Sequence, residues 1–99
     1  MNTMLSLNKA KKMAEEYLKE IEKDEKLALI ENNTIERDFG WIFFYNSKRY
    51  IETDDSLYML AGNGPIFVDK RTKELTLFGT AEPIEVYMEE YEKTNVINR

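Results

Sequence analysis

Two short stretches of the chain have residue types that could do chemistry. Gly62-Asn63-Gly64-Pro65 has the glycine spacing of an anion cradle, and Asp54-Asp55 sets two carboxylates side by side just upstream. A phosphate cradle needs glycines that open onto a helix N-terminus, where amide groups and the helix dipole converge on the anion. Here the loop opens onto Ile66-Phe67-Val68, a strand-like run, and no Lys-Ser or Lys-Thr follows. The stretch therefore reads as a bend, with Gly62 and Gly64 supplying positive φ and Pro65 ending it before the strand. Asp54 and Asp55 could serve as acid and base or bind a hard cation. Adjacent loop residues seldom converge, however, and the spaced oxygen ligands of a calcium loop are missing. Asp38-Phe39-Gly40 matches the metal-binding triplet of protein kinases, but a 99-residue chain has no room for the other kinase motifs. Gly40 instead lets the chain kink into the strand that follows, and Glu36 and Asp38 beside Arg37 read as surface pairs.

Composition narrows the chemistry further. The chain has no histidine and no cysteine. That excludes disulfides, thiolate or imidazole metal sites and nucleophile–histidine pairs, and leaves acid–base work to carboxylates, Lys or Tyr. No cofactor, metal or catalytic residue is assigned. With 19 acidic against 14 basic residues the net charge is −5, which disfavours nucleic acid as a partner, since that needs clustered Lys and Arg. The imbalance is local: within residues 79–93, Glu82, Glu85, Glu89, Glu90 and Glu92 face only Lys93, a distribution that would steer a basic protein partner. The N-terminal MNTMLSLNKAKK lacks the pattern of a secretory signal, and no run approaches the ~18 apolar residues of a membrane span. A cytoplasmic protein with no membrane partner is expected.

Elements able to position these residues can be read from periodicity. Ala10, Met13, Ala14, Tyr17, Leu18 and Ile21 form one apolar stripe at helical spacing, with Ser6 as N-cap and Glu15–Lys19 and Glu22–Lys26 paired on the wet side. Leu27-Ala28-Leu29-Ile30 reads as a first strand and Asn32-Asn33 as a turn. Trp41-Ile42-Phe43-Phe44-Tyr45 reads as the central strand, covered on both faces, with Trp41, Phe43 and Tyr45 pointing one way and Ile42 and Phe44 the other. Residues 66–68 and 75–78 make a hairpin around the polar turn 69–74. Pro83 opens a second amphipathic helix carrying Ile84, Tyr87, Met88 and Tyr91, and residues 94–99 form a frayed tail. Between Tyr45 and Ile66 runs a long loop, 46–65, with at most a short strand at Tyr50-Ile51. Loops of this length are uncommon without a function, and this one carries Tyr50, Glu52, Asp54, Asp55, Tyr58 and Asn63. Tyr58 with Met59-Leu60 also suits a plug that seats the loop on the core.

In order along the chain stand AEEYL (14–18), IERDFGWIFFYNSKRY (35–50), LAGNGPIFVDKRTKEL (60–75) and GTAEPIEVYMEEYEK (79–93). This combination resembles the immunity protein 35 domain family, also called the YrhB-like family, over roughly residues 6 to 93. The Gly40-Trp41 pair, the Gly62-Asn63-x-Pro65 loop and the Gly79-Thr80-x-x-Pro83 turn carry the resemblance. It implies an α+β domain encoded beside toxins of bacterial polymorphic and contact-dependent systems, which binds a cognate toxin and blocks it without enzymatic activity. Family members tend to have glycine in the hairpin turn where this chain has Lys73.

The expected architecture is thus a single α+β domain, two-layered, spanning 1–99 with its core at about 6–93. It has an antiparallel sheet of about four strands, with an N-terminal and a C-terminal helix packed against it. Tyr50, Asp54, Asp55, Tyr58 and Asn63 are the expected partner-binding residues, and the expected partner is a cognate protein toxin, with homodimerisation left open. A rival reading makes the aromatic surface a chaperone-like site for unfolded chains, and a third makes the domain a small carboxylate-based enzyme.

Overall fold

Ser6 starts the first helix as its sequence position requires: its hydroxyl accepts from the Lys9 amide at 3.3 Å, satisfying one of the orphan donors of the first turn. In the computed structural model, which describes residues 5–94, helix α1 spans Leu7–Ile21. Glu22, expected to pair with Lys26, ends α1 and accepts the Leu27 amide at 2.9 Å, so its carboxylate links the helix to the next strand. The wet side of α1 is pinned elsewhere, by Lys11 to Glu31 at 2.8 Å.

Six short strands follow in two sheets: β1 (Leu27–Leu29), β2 (Ile35–Arg37), β3 (Gly40–Phe43), β4 (Tyr45–Ser47), β5 (Ile66–Asp69) and β6 (Leu75–Leu77). The main sheet is antiparallel in the order β2-β3-β5-β6, and β1 and β4 form a separate antiparallel ribbon. The apolar run expected as one strand is in fact shared between the two. It pairs with β2 and β5 as far as Phe43, the Phe44 carbonyl accepts the Ile30 amide at 2.7 Å, and from Tyr45 onward it pairs with β1. Strand β2 was not anticipated, because Ile35-Glu36-Arg37 is too short and too charged to show a period of two.

Alternation along β3 and β5 builds two cores, one on each face. Trp41, Phe43, Ile66 and Val68 meet Ala10, Ala14, Leu18 and Leu29 on the α1 side, with Tyr45 packed alongside. Ile42 and Phe67 meet Phe39, Phe78, Met88 and Tyr91 on the other, with Phe44 alongside. Helix α3 (Ile84–Thr94), preceded by Pro83, supplies Met88 and Tyr91. The helices therefore cover opposite faces, making three layers of helix, sheet and helix where two were expected. Two helices on one face would have left Ile42 and Phe67, both fully buried, facing water. Phe67 is the centre of the α3-side core, with ring centroids 5.7 Å from Phe39, 5.2 Å from Phe78 and 4.5 Å from Tyr91. Truncating such a residue to alanine costs about 3–5 kcal/mol.

Gly40 does more than permit a kink. A Cβ there would lie 2.3 Å from the Val68 carbonyl oxygen and 2.7 Å from the Phe67 ring, so close packing of β3 on β5 excludes any side chain. Asp69 ends β5 instead of opening the turn, and it is 1% exposed. Its Oδ1 accepts the amides of Arg71 at 2.6 Å and Thr72 at 3.0 Å, and its Oδ2 accepts from the Tyr91 hydroxyl and from Arg71 Nη2 at 3.2 Å.

In the hairpin turn that Asp69 holds, Lys73 has φ +63°, the left-handed region, while its amide donates to the Asp69 carbonyl at 3.0 Å. An L-side chain costs about 1 kcal/mol there relative to glycine, partly offset by the greater freedom of glycine in the unfolded chain. Lys73→Gly should therefore raise the midpoint of thermal unfolding by a few degrees. An unchanged or lower midpoint in a calorimetric scan would contradict this account of the turn.

Candidate partner-binding lobe

Between β4 and β5 the chain does not wander as a loop. Ser47 starts a helix, α2 (Lys48–Thr53), by accepting the Tyr50 amide on its hydroxyl at 2.9 Å. The short strand expected at Tyr50-Ile51 is replaced by this helix, since Lys-Arg-Tyr-Ile-Glu-Thr after a serine cap contains no breaker. A single 3-10 turn, Ser56–Tyr58, follows.

Three polar side chains lash this excursion to the body. Asn46 is buried at the end of the ribbon; its Oδ1 accepts the Leu60 amide at 2.8 Å and its Nδ2 donates to the Leu60 carbonyl at 3.3 Å. The fully buried Ser47 hydroxyl donates to the Tyr58 carbonyl at 2.7 Å. Asn63 Nδ2 donates to the Tyr45 carbonyl at 2.6 Å. In effect Asn46 and Asn63 replace the strand pairing that a return segment would have made, which fixes the lobe without a third strand.

Of the expected partner-binding residues, Tyr50 and Tyr58 are half-buried and Asp54 and Asp55 exposed, all on this lobe. Asp54 ends α2 in the left-handed conformation, φ +60°, with its amide donating to the Tyr50 carbonyl at 2.7 Å. Asp tolerates that region better than most residues. Asp55 caps the 3-10 turn, its Oδ1 accepting the Leu57 amide at 3.0 Å. The two carboxylates thus stand at the junction of two short elements. Asn63 is half-buried, with its amide nitrogen directed at its own chain. Arg49 lies over the Tyr58 ring, 4.7 Å from the centroid, and 3.5 Å from Glu25. A hydrogen bond to Tyr58, then the charge of Glu25, hold the guanidinium pKa above its ordinary value, so it is cationic at any physiological pH. Among the described residues, no group of three or more His, Cys, Asp or Glu side chains is arranged to hold a metal ion.

Residue type alone did not single out the apolar part of the lobe. Leu57 is 80% exposed and Met59 49% exposed, with Ile51 exposed on α2. Met59 faces solvent, while Leu60 is half-buried and makes the tethering bonds to Asn46. Of the expected plug of Tyr58 with Met59-Leu60, Tyr58 and Leu60 are half-buried and bonded to the body, and Met59 is left outside. A leucine followed at two residues by a methionine reads equally as a buried or an exposed pair, because a 3-10 turn gives no lasting periodicity.

The glycine loop closes the lobe. Gly62 takes positive φ, +79°, as expected, but Gly64 does not. Gly64 is required for room instead: a Cβ there would lie 2.0 Å from the Phe78 carbonyl oxygen. Pro65 then leads into β5, and its carbonyl accepts the amide of Phe78, the residue after β6, at 3.0 Å. Since a strand and not a helix follows, the stretch has no dipole or converging amides for an anion.

An α+β domain with one sheet covered by a helix on each face, and a tethered lobe between two of its strands, is the class of protein this geometry defines. The family profile of immunity protein 35 matches residues 8–94, and the chain belongs to that family. It is also 42% identical over 53 residues to a protein of Escherichia coli (strain K12) described as uncharacterized protein YrhB, a stretch covering 54% of this chain and 56% of that protein. The match thus spans about half of either chain. No solved structure matches it.

Asn46→Ala would leave the Leu60 amide and carbonyl without their partner. Such a loss at a buried site costs about 1–3 kcal/mol. Amide hydrogen exchange should accelerate across 48–60 well before the main sheet opens. Exchange in the lobe that still tracks global unfolding would show that these tethers do not hold it.

Proposed function

We propose that this protein neutralises a cognate bacterial toxin by stoichiometric binding, without catalysis, in the cytoplasm of the producing cell. Membership in the immunity protein 35 family, whose name speaks for such a role, carries the reading. The toxin of a neighbouring gene in a polymorphic toxin system is the proposed partner, and the 48–65 lobe the proposed contact surface.

The lobe suits that role physically. A binding surface gains affinity when its conformation is fixed before the partner arrives, because less ordering entropy is lost on association. Asn46, Ser47 and Asn63 provide that fixation. Leu57, Met59 and Ile51 offer apolar area, with Tyr50 and Tyr58 as rigid aromatic anchors beside Asp54 and Asp55. An excess of acidic residues in the chain as a whole favours approach by a basic toxin, such as a nuclease, through long-range attraction. Among the described residues, no helix is long and apolar enough to cross a membrane.

Co-expression with the toxin should protect cells, and a purified complex should have a fixed stoichiometry. Leu57→Asp and Tyr58→Ala should each weaken toxin binding by about 2 kcal/mol, roughly 30-fold in Kd, with the unfolding midpoint little changed. A chain that neither binds nor protects against the neighbouring toxin would defeat the functional reading. Protection and affinity untouched by both substitutions would move the contact surface elsewhere.

A further inference from the structure

The two outer strands of the main sheet are finished differently. Strand β2 carries Glu36 and Arg37, and Glu36 is bonded to Lys70 at 3.1 Å, the charged finish that keeps sheet edges from pairing with other chains. Strand β6 reads Leu75-Thr76-Leu77 and has no charged residue within it; Leu77 is 51% exposed. Its pairing phase is fixed by the bonds that flank it. The Asp69 amide donates to the Glu74 carbonyl at 3.0 Å and the Phe78 amide to the Pro65 carbonyl at 3.0 Å, with Thr76 opposite Phe67 between them. By antiparallel alternation Thr76 turns its amide and carbonyl toward β5. The amides and carbonyls of Leu75 and Leu77 therefore point outward, along an edge that pairs with no other strand among the described residues.

We infer that β6 is a self-pairing edge, and that two copies of this chain join antiparallel along it about a two-fold axis at Thr76. In that register Leu75 of one copy lies opposite Leu77 of the other and exchanges both backbone hydrogen bonds with it, and the symmetry repeats the pair. Thr76 faces its own counterpart as the non-hydrogen-bonded pair. Leu75 and Leu77 share a face, the one toward α1 on which Leu75 already packs, so the join brings four leucines together and covers the exposed ones. Charge runs the same way. Lys70 and Arg71 are engaged within their own copy by Glu36 and Asp69, but antiparallel pairing sets the exposed Lys73 opposite Gly79 of the second copy, so Lys73 of each copy heads toward the acidic segment containing Glu82 and Glu85 of the other. The same register places Glu74 opposite Phe78, with no like charges facing each other. A parallel join would set the two Lys73 side chains together and lose this complementarity. The main sheet has four strands, so the dimer carries a continuous sheet of twice that number. So short a join, resting on a few strand residues per copy, makes the dimer reversible.

The test needs no toxin, so its outcome is separate from that of the proposed function. The chain contains no cysteine, which gives a clean background for Thr76→Cys. Facing residues of a non-hydrogen-bonded antiparallel pair have Cα atoms about 4.5 Å apart, within the range a disulfide spans. Under mild oxidation Thr76→Cys should form a covalent dimer roughly tenfold faster or more than Glu36→Cys on the charged β2 edge, because only the former is held in bonding geometry. Sedimentation of the unmodified protein should show a concentration-dependent dimer that Leu77→Lys abolishes while its circular dichroism spectrum is retained. Sedimentation as a monomer at the highest soluble concentration, or crosslinking of Thr76→Cys no faster than of Glu36→Cys, would overturn the inference. So would a dimer that Leu77→Lys leaves intact.

Discussion

A carboxylate buried at the end of β5 is the interaction on which the arrangement of turn, sheet and second helix depends. Burying a charge is costly unless hydrogen bonds and opposite charge replace the lost water. Asp69 meets that demand with two amides of its own turn, the Arg71 guanidinium and the Tyr91 hydroxyl. Each partner comes from a different level of the structure. The amides set the hairpin turn and with it the register of β6, Arg71 supplies countercharge at the rim, and Tyr91 draws α3 onto the sheet. Truncating Asp69 would therefore remove a turn cap and a helix anchor together, and the breaking of such a shared group is not additive.

The sheet this carboxylate serves has two covered faces, and that constraint decides much of what surrounds it. Strands β3 and β5 bury every residue, so successive side chains need cover above and below. The alanines of α1 give close approach on one side, while the aromatic set around Phe67 fills the other. Leaving the main sheet at Phe44, the same strand enters the ribbon with β1 and delivers Asn46 and Ser47 to the base of the lobe. Core and candidate contact surface are thus joined by one continuous backbone.

Within the lobe, buried polar groups are spent on tethering, and the exposed ones cap short elements. Asn46, Ser47 and Asn63 bond to main-chain groups, Asp54 and Asp55 end one helix and begin a turn, and Arg49 is engaged with Tyr58 and Glu25. What such a surface offers a partner is shape, aromatic area and the exposed Leu57, the ingredients of protein recognition.

The sequence alone determined those parts whose signal is local and repeats. A serine cap and a stripe at helical spacing located α1; five aromatic and aliphatic residues in a row located β3 and told which of them face together; Pro83 and its following stripe located α3. A left-handed Lys73 was legible too, through the glycine that family members tend to carry there. The 46–65 segment stood out by its length and its Tyr and Asp content, but the helix, the 3-10 turn and the tethers that shape it did not. Tertiary structure decided the rest. Strands β2 and β4, short and rich in polar residues, carry no apolar signal of their own, unlike the equally short β1 and β6, and are defined by the neighbours that pair with them. Whether two helices share a face of the sheet or oppose each other is set by which residues need cover on the far side. Burial of Asp69, the closeness of Gly64 to Phe78, and the outward turn of Leu57 each depend on atoms distant in sequence. A residue's type fixes what it can bond to, and only the folded chain fixes what lies within reach.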